Sequence, residues 1–94
     1  MTFHEFATLQ RRPEELSPAL QALWLDAQGD WDGAHDLAQT GGGREGAWVH
    51  AYLHRKESDD SNAGYWYSRA GRPAAKGDLR AEWEEIVRAL LKTG

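Results

Sequence analysis

Residues 20–38 read LQALWLDAQGDWDGAHDLA and residues 49–67 read VHAYLHRKESDDSNAGYWY; a shift of 29 residues lays one stretch on the other. Leu20 then falls on Val49, Ala22 on Ala51, Leu23 on Tyr52 and Trp24 on Leu53. Beyond the turn, Asp30 falls on Asp59, Ala34 on Ala63, Leu37 on Trp66 and Ala38 on Tyr67. Apolar positions match through two helix-length segments, and the turn aspartates coincide. Stacked helical hairpins leave this mark, because each unit buries its face only against the next.

Working outward, the helix signals are punctuated by turn residues. Ser17-Pro18 starts a helix, with Ser as N-cap and Pro where its missing N–H costs nothing; Leu16, Leu20, Leu23, Trp24 and Ala27 mark its face. Gln28-Gly29-Asp30 breaks it, and Trp31, Ala34, His35 and Ala38 carry the next helix to about Gln39. Gly41-Gly42-Gly43 reads as a flexible loop within one domain, since neither side buries a core alone. A third segment runs from about Glu45 to Lys56, and a fourth carries Ala63, Trp66, Tyr67 and Ala70.

The ends supply two more helices. Thr2 and Glu5 have capping-box spacing, which predicts a short helix from about Phe3 to Gln10. Asp78 caps a last helix with Leu79, Trp83, Ile86, Val87 and Leu90 as its stripe and Glu82, Glu84, Glu85 and Arg88 on the other faces. The expected fold is all-α: a single domain over residues 1–94, with hairpin units at about 18–40 and 45–71 and a capping helix at about 78–93.

Composition narrows the function classes. The absence of cysteine excludes disulfides, thiolate metal sites and cysteine nucleophiles. The net charge of −4 argues against a general nucleic-acid binder, which needs a positive surface to displace counterions. The longest purely apolar run, Ala22–Leu25, is far short of the ~20 residues that span a bilayer. The first residues carry acids and no apolar h-region, so no signal peptide is read. A cytoplasmic protein is expected, a monomer or weak homo-oligomer, with neither nucleic acid nor membrane as partner.

The stretches AQGDWDGAHDLAQ and RKESDDSNAGYWYSRA resemble the tetratricopeptide and Sel1-like repeats, in which a Gly-Asp turn leads into an aromatic-rich second helix. Ala63, Tyr67 and Ala70 sit at that family's small–aromatic–small spacing, and the likeness covers about Pro18 to Arg72. Where the family usually has Leu-Gly, this chain has Gln21-Ala22 and His50-Ala51; where it usually has an aromatic, the second unit has His54. The resemblance implies TPR-like stacking and a concave surface lined by the first helix of each hairpin. HAYLHRKE and NAGYWYSRAG also resemble a group of short bacterial proteins, a likeness that brings no activity with it.

Three constellations stand out. Trp48, Tyr52 and Arg55 recur at i, i+4 and i+7 and form one stripe, either filling the core or anchoring a partner, with Arg55 paired to Asp26, Glu57 or a ligand carboxylate. His50 and His54 stand four apart on one face, with His35 and Asp26 as further candidate ligands. The plainer reading is a hydrogen-bonded structural pair, and no HExxH pattern occurs. Tyr65-Trp66-Tyr67 point in three directions, which leaves one ring exposed, most simply Tyr65; Asn62 reads as a capping or turn residue. No nucleophile motif or phosphate loop appears, so no catalytic residue and no cofactor is assigned, and an enzyme is not favoured. The leading expectation is a protein- or peptide-binding module anchored by Trp48, Tyr52 and Arg55. The alternative is a small-molecule or metal-binding protein, possibly enzymatic, using His35, His50, His54 and Arg55.

Overall fold

The computed structural model describes residues 1–93, which form six helices: α1 Phe3–Ala7, α2 Pro18–Ala27, α3 Trp31–Gly41, α4 Gly43–Lys56, α5 Asp60–Ala70 and α6 Leu79–Thr93. The fold is all-α, with no strand among the described residues. The start signals act as expected. Thr2 and Glu5 form the reciprocal capping box (3.1 and 2.8 Å), Ser17 accepts from the Leu20 amide, and Asp78 accepts from the Ala81 amide at 3.0 Å. None of the described helices is long and apolar enough to cross a membrane.

Helices α2 and α3 pack as one pair and α4 and α5 as another, with α3 lying between α2 and α4. The C-terminal α6 covers α2 and α4, and α1 rests on α6. Trp83 joins these layers. Its ring meets Phe3 at 5.8 Å and Phe6 at 5.9 Å, and its indole N–H donates to the Leu23 carbonyl at 2.9 Å.

The 29-residue correspondence extends to the backbone of the turns. In the first, the amides of Gln28, Gly29 and Asp30 donate to Leu25, Asp26 and Leu25. In the second, the amides of Glu57, Ser58 and Asp59 donate to His54, Arg55 and His54, the same partners 29 positions on. Asp30 and Asp59 then cap α3 and α5 with nearly the same dihedrals, φ −99° and ψ 78° against φ −96° and ψ 73°. The left-handed position is Gly29 (φ 89°) in one turn and Ser58 (φ 62°) in the other.

Three expectations are corrected. The N-terminal helix stops at Ala7, three residues short of Gln10, where the Thr8 hydroxyl takes the His4 carbonyl. The triglycine is not a flexible loop: Gly41 ends α3, Gly43 begins α4, and Gly42 alone joins them. The lack of side chains is used for contact, because a Cβ on Gly41 would stand 2.8 Å from Pro18 Cβ and one on Gly46 would stand 2.6 Å from the Ala38 carbonyl oxygen. Glu82 is buried among the apolar residues of α6, not on its polar face. Asn62, read as a capping or turn residue, lies in the first turn of α5 and donates its side-chain amide to the capping Asp59 at 2.7 Å.

Ser58 carries a Cβ where the left-handed backbone favours glycine. Ser58→Gly is expected to stabilise the fold by about 0.5–1 kcal/mol, read as a higher urea midpoint with an unchanged slope.

Candidate histidine site

Helix α4 is the central element, with every residue from Gly46 to Leu53 buried. Its polar residues therefore find partners inside. On one side, the Tyr52 hydroxyl donates to Asp26 of α2 at 3.1 Å, and Lys56 pairs with the same carboxylate at 2.8 Å. Arg55 pairs with Glu82 of α6 at 2.7 Å and donates to the Gly77 carbonyl, while Glu82 also accepts from the Tyr67 hydroxyl. Burial first, then the adjoining Asp26 or Glu82, pushes both tyrosine hydroxyls well above their ordinary range.

This placement decides the aromatic stripe. Trp48 and Tyr52 are 5% and 3% exposed and belong to the core, with only an edge of Trp48 reaching a small open pocket of about 230 Å³ beside Arg72 and Glu85. The Arg72 guanidinium lies 3.7 Å from the centre of the Trp48 ring. Arg55 pairs with neither Asp26 nor Glu57, because α6 brings Glu82 to it first. Tyr65 is the exposed ring of its triplet, at 54%.

The other side of α4 holds the histidines. His50 and His54 project toward α3 and α5, and α3 brings His35 against them, so that the ligand-capable atoms of all three lie within 4.8 Å of one another. His35 Nε2 and His50 Nε2 are 2.8 Å apart. One of these nitrogens must carry a proton and the other must accept it, which fixes opposite tautomers in the pair. The His50 and His54 rings stack at 4.9 Å, and His35 stands edge-on to both. Asp26 does not join the cluster; it is held by Tyr52 and Lys56.

Two tryptophans that the sequence reading left out of the site close it. Trp31 stacks on His35 at 5.0 Å, fixed by an indole N–H donated to the Leu53 carbonyl at 3.0 Å. Trp66 stacks on His50 at 4.0 Å. The signal for Trp31 was present, since Trp31 and His35 are four apart and share a helical face. Asp59 was also missed as a neighbour: its carboxylate lies 3.7 Å from His54 Nδ1.

Burial favours the neutral forms of His50 and His54. Burial, and then the charges that His35 and His54 would carry, depress His50 from 6.5 to about 4. Burial chiefly lowers His54, with His35 adding to it and Asp59 opposing. Neutral imidazoles have ring nitrogens free to accept a proton or a metal. No family model matches the chain, and neither a curated protein nor a solved structure shows significant similarity to it.

The depressed His50 links stability to pH with a definite sign. The unfolded chain binds a proton at this residue near pH 6.5 while the folded one resists until about 4, so the stabilisation is complete above the first value and lost on falling toward the second. The expected loss is about 3 kcal/mol. Urea titrations with a chelator present, run from about pH 7.5 to about pH 4.5, should show it, and His50→Phe should flatten the profile.

Proposed function

We propose that this protein binds a late first-row divalent metal ion, zinc being the reference case, through His35, His50 and His54. The observation that carries this reading is the convergence of three imidazoles from two helices, with ligand atoms within 4.8 Å of one another. Imidazole nitrogen suits zinc, copper, nickel and cobalt, and three such ligands leave one tetrahedral position for water or another ligand.

The metric requirement is modest. Nitrogens about 2.0–2.1 Å from a tetrahedral ion lie about 3.3 Å apart. The His35–His50 contact of 2.8 Å would open by about half an ångström and its shared proton would move to a Nδ1. Asp59 stands where an outer carboxylate orients a ligating histidine, on the Nδ1 side of His54. The peptide-binding reading rested on Trp48, Tyr52 and Arg55; with both rings almost wholly buried and the Arg55 guanidinium already held by Glu82, the histidine alternative has the stronger geometry.

For the architecture we infer a duplicated helical hairpin of the tetratricopeptide or Sel1-like kind. The support is the pair of turns that repeat hydrogen bond for hydrogen bond at a 29-residue shift.

Calorimetry with Zn²⁺ and visible spectra with Co²⁺ test the metal. One ion per chain is expected, with tetrahedral cobalt bands. His35→Gln and His54→Gln should each weaken binding at least about ten-fold, and Asp59→Asn, which still caps α5, about ten-fold. Affinity that is unchanged when His35 and His54 are both replaced would leave the cluster a hydrogen-bonded structural group.

A further inference from the structure

Behind the histidines, at the start of α4, helices α3, α4 and α5 enclose an open cavity of about 400 Å³. Arg44, Ala47, His50, Trp66 and Arg69 line it, together with the joining residue Gly42. The size lies within the usual range for small-molecule pockets. Ala47 on the floor and the bare backbone at Gly42 keep the space from being filled.

The charge of the lining runs against that of the chain. The net charge is −4, yet the wall holds two guanidinium groups and no carboxylate. Of the other six arginines, Arg11, Arg55 and Arg88 pair with Glu15, Glu82 and Glu84, while Arg12 bonds Gln21 and Arg72 and Arg80 lie over Trp48 and Trp83. Neither Arg44 nor Arg69 is paired with a carboxylate among the described residues. Arg69 donates to the neutral Tyr65 hydroxyl at 3.1 Å and lies 5.5 Å from the centre of the Trp66 ring. Helix α4 opens at the same place without a side-chain cap.

We propose that this cavity binds a small organic carboxylate with a flat apolar body. Two guanidinium forks suit a carboxylate, which accepts paired N–H bonds from each. The indole of Trp66, backed by His50 at 4.0 Å, offers a flat apolar surface for the rest of the molecule. The uncapped start of α4 adds its positive end to the same space. Metal binding is not required, because His50 Nε2 is turned toward His35 and not into this lining.

The test uses the whole chain with a chelator present, and benzoate, naphthoate, benzamide and inorganic phosphate as probes, followed by amide NMR and calorimetry. Benzoate and naphthoate are expected to move the Gly42, Gly43 and Arg44 amides and the Trp66 indole N–H. Benzamide should bind at least about ten-fold more weakly, and Arg44→Gln and Arg69→Gln should each weaken benzoate by about ten-fold, the loss of a charge-assisted hydrogen bond. Both arginines are on the surface, and circular dichroism of the variants checks that the fold is intact. Benzamide binding as well as benzoate, unchanged affinity in both variants, or resonances moving elsewhere would overturn the proposal. Phosphate binding more tightly at the same resonances would overturn the organic class and leave a site for inorganic anions. None of these readouts depends on zinc, so failure here and failure at the histidine cluster are separate results.

Discussion

Helix α4 has eight consecutive buried residues, Gly46–Leu53, and most of the structure can be understood as the consequence of surrounding it. A helix buried on every side is ordinarily apolar on every side. This one carries Tyr52, His50, His54 and Arg55 within or beside that segment. Each polar atom taken out of water needs a partner, because an unmade bond costs about 1–3 kcal/mol. The partners come from four other helices or their approaches: Asp26 from α2, His35 from α3, Asp59 ahead of α5 and Glu82 from α6. No buried side-chain nitrogen or oxygen among the described residues is left without one. The polar contacts thus specify which helix lies on which side of α4, while the apolar ones supply most of the burial.

Local chemistry was legible in the sequence, and the long-range pairing was not. Caps and turns at Thr2, Ser17, Asp30 and Asp78 follow from residue type at fixed offsets, and so did the 29-residue correspondence. The stripe of Trp48, Tyr52 and Arg55 was equally visible, but period alone cannot say whether a stripe meets another helix or a partner. The acid that takes Arg55 is 27 residues away, on a helix whose polar face was expected to include Glu82. The triglycine misled for a related reason. Glycine signals freedom when read alone, whereas Gly41 leaves room here for the Pro18 ring and Gly46 for the Ala38 carbonyl, where a Cβ would come too close.

The histidine cluster lies between these cases. The i, i+4 pair was readable on α4, and His35 was a candidate from the neighbouring hairpin. Its 2.8 Å approach to His50 depends on how α3 packs against α4, which no spacing rule gives. His50 and His54 occupy positions where the resembled repeats usually carry leucine and an aromatic. In this chain tryptophans do the filling instead, Trp31 on His35 and Trp66 on His50, so the imidazoles are packed as rings and still present nitrogen to one another.

The single residue between α3 and α4 has one more consequence. Gly42 alone separates the two helices, in one non-helical conformation (φ 62°, ψ −166°), so a single hinge residue sets both the spacing and the turn between them. One inserted residue would leave both helices and every side chain of the cluster intact in sequence. It would also remove the one-residue constraint that holds the face bearing His35 against the face bearing His50. The address of the site is therefore written in chain length as well as in residue type.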